Sequence, residues 1–371
     1  MNARKDLPDT LEEWILGPDR EEWSAELIKL LAAAQEGGST VAECLLAIGR
    51  IRKGDDLSWC TEWKNLAEAS RERGDAALAA GHEVTARRNW LRAINYYNAA
   101  LLPMDSADER RSASILAMQN CAHRFLQYSS PAGEVVVLPW EGGHSLQGYF
   151  LPARSSHERL PTVISIGEPG HRKEEFLFKL APHARERGLS MLAVDLLGAN
   201  GEDFPDEAVG RPNAETSISC VMDYLALRTD VDFDRVAILA DGWGSSFVAR
   251  AVANEPRLAA AVCDGGLWDL HERAFLSERA VSRHADFIPA MGAGRIARNI
   301  DCPVLVTLGA DGWLKADRAS DMIRQLRTWR MDVTLKVFTA EETAAAQGHA
   351  DNPSLANEFI FDWLVSRLAR D

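Results

Sequence analysis

The spacing of apolar residues changes character once along the chain. Up to about residue 130, apolar positions recur every three or four residues, the period of an amphipathic helix. The stretches EEWSAELIKLLAAAQEG (21–37), TVAECLLAIGRI (40–51) and SWCTEWKNLAEASRERGDAALAAG (58–81) carry this period. So do HEVTARRNWLRAINYYNAALL (82–102) and DERRSASILAMQNCAHRFLQY (108–128). Gly37-Gly38 and Gly54-Asp55 punctuate them, and Pro103 ends the stretch over 82–102. Beyond Ser129-Ser130-Pro131 the pattern shortens. EVVVLPW (134–140) and SLQGYFLPA (145–153) alternate around Glu141-Gly142-Gly143, which predicts a hairpin.

From there short apolar runs alternate with helical patterns. TVISIG, MLAVDLLG, RVAILA, LAAAVCDGG, PVLVTLG and TLKVFTA read as strands. EEFLFKLAPHARERG, ETSISCVMDYLALR, FVARAVANE, ASDMIRQLRTW and LANEFIFDWLVSRLA read as helices. Strands that read as continuous apolar runs between helices predict a mainly parallel sheet covered on both faces. The division expected is a helical N-terminal domain over 1–130 and an α/β domain over 131–371, with an insert at about 267–299.

Composition narrows the function classes. The 371 residues carry a net charge of −14, spread along the chain rather than gathered in a tail. That argues against nucleic acid and anionic membranes as partners. No run of about 18 apolar residues predicts a membrane span, and the polar N-terminus does not resemble a signal peptide. Cys44, Cys60, Cys121, Cys220, Cys263 and Cys302 stand far apart with no C-x-x-C, as expected of reduced thiols in a cytoplasmic protein. Metal-ligand spacing, phosphate loops and dinucleotide fingerprints are missing from the sequence, so neither a metal nor a cofactor is expected.

The chemistry concentrates in VAILADGWGSSFV (236–248), a strand running into a sharp turn and a helix. In a nucleophile elbow of the G-x-S-x-G type, small residues flank the nucleophile because strand and helix cross closely. Ala240-Asp241-Gly242-Trp243-Gly244 provides the small flanks, with Gly242 in the nucleophile slot. A register centred on Ser245 would place Trp243 and Phe247 at the flanks, and one centred on Asp241 would place Leu239 and Trp243 there. An ordinary glycine-rich turn of another α/β fold is the plainer alternative.

Several further segments decide in favour of the elbow. GHEVTARRNWLRAINYYNAA (81–100), LQGYFLPA (146–153), Asp195-Leu196-Leu197-Gly198, RPNAE (211–215), VDFDRVAILADGWGSS (231–246), EPRLAAAVCDGGLWDL (255–270) and FTAEETAAAQGHADN (338–352) occur in order. The chain thereby resembles the α/β-hydrolases with a helical N-terminal domain: FrsA-like proteins, fungal polyketide-shortening hydrolases and bacterial pseudooxynicotine-type C–C hydrolases. The resemblance implies an α/β-hydrolase fold, a cap-like helical domain and a Ser, Asp, His triad in that chain order. It places those three slots at Gly242, Gly312 and Gln347, each substituted. Asp311 stands one position before the acid slot, and His349 two positions after the base slot. The oxyanion loop reads Gly167-Glu168-Pro169-Gly170.

Each candidate has a plain reading beside the functional one. His349 is either a displaced base or, more commonly for such a position, a surface-loop histidine. Asp311 either orients a polar group or caps a turn, and Glu168 is either a proton-transfer group or an exposed acid. Trp243 and Trp313 either pack or wall a pocket for a flat ligand, and Tyr96 either lines that pocket or fills a core. Cys263-Asp264 reads as structural. The expectation is a repurposed enzyme acting without covalent attack on an acyl, aromatic or polyketide-like ligand, as a cyclase or lyase. A non-catalytic pseudo-hydrolase binding a ligand or partner, and a hydrolase with a displaced base, stand as alternatives. A homodimer is left open.

Overall fold

A computed structural model describes residues 21–105, 108–140, 145–153, 158–167, 172–195, 216–242, 244–265, 299–312, 314–328 and 330–370. The chain divides into two compact units, Met1–Ser129 with Leu177–Lys179, and Ser130–Phe176 with Leu180–Asp371.

The first unit is helical: α1 (Glu21–Ala32), α2 (Val41–Ile48), α3 (Asp56–Ala79), α4 (Glu83–Leu101) and α5 (Glu109–Gln127). The sequence fixes its helix starts. Thr40, Asp55 and Asp108 each accept a backbone N–H of the first turn through the side chain, which supplies a donor-rich helix end with its missing acceptor. The apolar stripes meet in a core that holds Trp59, Trp63, Trp90, Tyr96 and Tyr97 at zero exposure. Trp23, Trp59, Trp63 and Tyr96 follow one another at centroid separations of 4.6, 5.7 and 5.9 Å, in the tilted geometries that aromatic quadrupoles favour.

The second unit is built on one eight-stranded sheet of order β1-β2-β4-β3-β5-β6-β7-β8. Its strands are β1 (Glu134–Pro139), β2 (Ser145–Leu151), β3 (Leu160–Ile166), β4 (Ser190–Asp195), β5 (Val231–Asp241), β6 (Ala260–Asp264), β7 (Val304–Gly309) and β8 (Val333–Phe338). The predicted hairpin is the antiparallel pair β1–β2, and β2 pairs antiparallel with β4. All other pairings are parallel. Among the described residues its helices are α6 (Ala181–Glu186), α7 (Thr216–Ala226), α8 (Gly244–Asn254), α9 (Ala316–Thr328) and α10 (Pro353–Leu368).

One sheet face forms a continuous core in which Ile164, Ile166, Ile238, Ala240, Cys263 and Val306 meet Ile218, Val221, Val248, Val252 and Ile323 of α7, α8 and α9. On α10, Ile360, Phe361 and Leu364 are buried, and Phe361 stacks on His183 of α6. The single helix expected over 174–188 is instead a turn at Phe176–Lys179 followed by α6. Pro182, in the first turn of α6, cannot donate the backbone bond that a continuous helix would require there.

The strand order reverses direction beside β3: the chain passes from β3 outward to β4, then returns to β5 on the other side. In open α/β sheets, ligands bind at the carboxyl ends of strands at such a switch point. Here that point is bounded by Gly167 and the turn after Asp241. Among the described residues no helix is long and apolar enough to cross a membrane. The expected insert at about 267–299 lies almost wholly outside the described residues.

Candidate active site at the strand ends

The turn after β5 has the backbone of a sharp crossing. Gly242 adopts φ +55°, a left-handed conformation open to glycine without steric penalty. Gly244 begins α8 against the end of β3. A β-carbon on Gly244 would stand 3.0 Å from the Gly167 carbonyl oxygen and 3.4 Å from Ala240 Cβ. That packing is the physical reason for small residues at 240 and 244. Ser245 is fully buried beneath the turn, and its hydroxyl lies 3.3 Å from the carbonyl oxygens of Ala240 and Asp264. It therefore ties α8 to the ends of β5 and β6.

Across the turn stands the segment after β8. The side chain of Gln347 reaches back towards β6 and β7. A β-carbon on Gly312 would lie 2.9 Å from Gln347 Oε1, and one on Gly265 would lie 3.7 Å from Gln347 Nε2 and 3.8 Å from the Gly242 nitrogen. The structure thus brings Gly242, Gly265, Gly312 and Gln347 to one locus. Gly312 is buried, and its N–H donates to the Gly309 carbonyl at 3.0 Å. Asp311 is exposed, and its backbone N–H donates to Ala345.

His349 is not the surface-loop histidine that its position suggests. It is 1% exposed. Its Nδ1 lies 2.6 Å from the Ala344 carbonyl oxygen and its Nε2 lies 2.9 Å from Asp264 Oδ1. The second approach is close but oblique, and does not have the geometry of a straight hydrogen bond. The Phe338 ring meets the imidazole edge-on at 4.9 Å. The loop holds this arrangement in strained backbone: Thr343, Ala344 and His349 all have positive φ, as does Gly348. Asp351 braces it by accepting from the N–H groups of Ala345 and Ala346, and Asn352 by donating to Thr343 Oγ1 while capping α10.

Asp264 is the functional candidate that sequence reading passed over, having taken it as structural. It ends β6 in register with Asp241 of β5 and Thr307 of β7, so the three side chains share one sheet face. Thr307 donates to Asp264 Oδ1 at 2.6 Å. Asp241, Asp264 and Thr307 are all buried. The available signal was an acidic residue closing an otherwise apolar run, in VAILAD and again in AAAVCD.

A second polar cluster joins Lys173 and Glu174 to β2 and β4. Lys173 clasps Asp195, its N–H on Oδ1 at 2.8 Å and its ammonium on Oδ2 at 2.7 Å. The same ammonium lies 3.1 Å from Glu174 Oε1, which also accepts from the Tyr149 hydroxyl at 2.7 Å. Burial disfavours a charged Lys173, yet Asp195 and Glu174 override it and hold the ammonium above the usual lysine range. Burial, then the Glu174 carboxylate, push the Tyr149 phenol up.

The remaining candidates are dispersed. Tyr96 lies inside the helical unit at zero exposure. Its hydroxyl accepts from the Thr40 N–H at 3.0 Å and donates to Glu43 at 2.8 Å, a packing and capping role at the start of α2. Glu168, Trp243 and Trp313 lie outside the described residues. Among the described residues no group of acidic, histidine and cysteine side chains has the geometry to hold a metal.

No family model matches the chain. Curated relatives do. The hydrolyase poxO of Penicillium oxalicum is 29% identical over 261 residues, covering 67% of this chain and 62% of that protein. The α/β hydrolase xenA of Xenoacremonium sinensis is 30% identical over 66% of this chain and 60% of its own length. The 20-hydroxy-prefusarin hydrolase FUS2 of Gibberella moniliformis is 31% identical, over 67% and 61%. The chain therefore spans about three fifths of the curated relatives it matches. Among solved structures, 2,6-dihydroxy-pseudo-oxynicotine hydrolase matches at TM-score 0.72 and 19% identity, covering 91% of this chain and 95% of that one. AbyA5 matches at 0.62 and 16%, covering 95% and 100%.

Proposed function

For a chain with the α/β-hydrolase fold, we propose a repurposed enzyme that acts without a covalent intermediate on a polyketide-like or aryl-carbonyl metabolite. The reactions in question are dehydration, cyclisation and C–C cleavage. The observation that carries this reading is Gly242: a residue with no side chain, at φ +55°, where strand β5 crosses into α8. Covalent catalysis needs a nucleophile with a base in reach and a third group orienting that base. In this reading Gly242, Gly312 and Gln347 stand in those three places, and none of them can attack or take a proton. Ser245, the nearest serine described, is buried with its hydroxyl turned onto two carbonyls.

What such a site retains is polarisation. The N–H of Trp243 and one from the Gly167–Glu168 turn serve as carbonyl donors, a function that does not depend on the altered side chains. In this reading Trp243 and Trp313 are the candidates to wall the ligand, and Glu168 and Asp311 are the candidate polar groups. The name hydrolyase carried by poxO is in keeping with water elimination. The names of xenA and FUS2 favour hydrolysis as the second reading, with a displaced base in place of the usual one.

One experiment tests the proposal against covalent serine hydrolysis. The full chain is treated with a fluorophosphonate probe and, in parallel, with a panel of aryl β-hydroxy ketones and aryl 1,3-diketones followed by mass spectrometry. We expect no probe on residues 240–246 and water loss or C–C cleavage in the panel. Stoichiometric labelling of Ser245 or Ser246 with ester turnover would overturn the proposal and restore a serine hydrolase.

A further inference from the structure

His349 sits between two acceptors. A backbone carbonyl can only accept, so the 2.6 Å contact to Ala344 requires a proton on Nδ1. On the other side, Nε2 lies 2.9 Å from a carboxylate oxygen that already accepts from Thr307. The approach is oblique, so a proton on Nε2 is held there by the nearby negative charge more than by a straight hydrogen bond. A neutral imidazole carries a single N–H and cannot serve both sides. We propose that His349 is held as an imidazolium between Asp264 and the Ala344 carbonyl, and that this charge pins the 343–349 loop so that Gln347 is positioned beside the Gly242 turn.

His349 is then a positioning residue and not a base, because both ring nitrogens are occupied in fixing the loop. The strain around it supports that role. Residues 343, 344, 348 and 349 all have positive φ, a run that persists only where the surroundings over-determine it. Asp351 contributes part of the constraint through the N–H groups of Ala345 and Ala346. The Asp264–His349 pair contributes the part that reaches the sheet. Asp264 on β6 and Phe338 on β8 meet the ring; Thr307 on β7 bonds that Asp264, Asp241 on β5 is in register with it, and Asp351 binds the loop backbone at Ala345 and Ala346. On β8, Lys336 pairs with Glu342 at 2.6 Å and lies over the Phe338 ring. The Asp264 carboxylate stands against the ring, and an opposite charge at that distance favours the charged form. The inference draws on the proposed function only for what Gln347 would bind; the state of His349 stands on geometry alone.

The test is nuclear magnetic resonance on the full chain with nitrogen-15 in the histidine rings and glutamine side chains. His349→Gln and Gln347→Glu assign the two residues. At neutral pH, where a free imidazole is mostly uncharged, both His349 nitrogens should be protonated and the Gln347 side-chain amide should be dispersed from solvent-like positions. In the near-isosteric Asp264→Asn the ring should carry one proton and the Gln347 amide should move to solvent-like positions. Should that variant not fold, raising the pH on the wild type decides the matter: His349 deprotonation and the Gln347 change must share one midpoint. A wild-type ring with one bare nitrogen at neutral pH would overturn the proposal. So would a Gln347 signal indifferent to the state of His349. Either result leaves the fluorophosphonate outcome untouched, so failure here is distinguishable from failure of the proposed function.

Discussion

At the scale of single residues, the site is governed by where β-carbons are missing. Gly309, at the end of β7, shows this best: a β-carbon there would stand 2.3 Å from the Ala345 carbonyl oxygen and 2.4 Å from that of Ala346. Both obstacles are backbone, so neither can rotate aside. Gly309→Ala should therefore lower stability by about 2–3 kcal/mol, at the upper end of overpacking costs, and shift the loop that carries Gln347. Urea denaturation measures the first effect, and an unchanged midpoint would show that the loop yields freely. The Asp264–His349 pair obeys the opposite logic. Each buried ion loses several kcal/mol of hydration, so such a pair persists only when both charges and their extra hydrogen bonds, from Thr307 and to Ala344, are present together.

At the scale of elements, β6, β7 and the segment after β8 act as one unit through Gly312 and Gln347. A carboxylate at 312 would meet Gln347 Oε1, acceptor against acceptor, because the β-carbon alone approaches to 2.9 Å. An imidazole at 347 would present a donor instead. Gly312→Asp and Gln347→His should consequently be non-additive, with a favourable coupling of about 1 kcal/mol or more in a double-mutant cycle. Additivity within about 0.5 kcal/mol would mean that the two side chains do not meet. The sequence made the strands legible because buried parallel strands read as unbroken apolar runs, and VAILA and VLVTLG did so without ambiguity. It made the Gly242 turn legible because sterics restrict which residues flank such a crossing. Asp264 with His349 escaped it, because that contact joins two distant segments through positive-φ backbone at non-glycine residues, which no local pattern announces. The break before α6 was also misjudged: Pro182 was outweighed by the apolar period on either side of it.

At the scale of the whole molecule, guanidinium–carboxylate pairs fasten the α/β unit and set its response to acid. For Asp230, Asp232 and Glu255, burial alone would raise the carboxyl pKa, but hydrogen bonds from Arg228, from Arg235 and Arg370, and from Arg257 respectively outweigh it and hold each below the usual range. A carboxylate depressed in the folded state contributes stability above its unfolded value and loses it as the pH falls through its folded one. With unfolded values near 3.9 for Asp and 4.3 for Glu, the contribution of these carboxylates should be constant above about pH 5, and the thermal midpoint should fall progressively below about pH 4. A midpoint unchanged down to pH 3 would show that these pairs are too well solvated to matter. The thiols belong to the same accounting of burial. Among the described residues no disulfide joins the cysteines, and burial pushes Cys44, Cys121 and Cys302 up to about 12, so these three are poor nucleophiles at neutral pH.

The left-handed turn at Gly242 gives the site a direction in evolutionary time. Any residue with a β-carbon placed at φ +55° bears a steric cost of roughly 1–2 kcal/mol. Under the proposed reading, a lineage that exchanged a nucleophile here for glycine would shed that strain at the moment it gave up reactivity. The return path would climb, because a serine regained at 242 would reintroduce the strain before changes at Gly312 and Gln347 could make it useful. The same few degrees of backbone that let an elbow present a nucleophile would then act as a ratchet in any chain that has lost it.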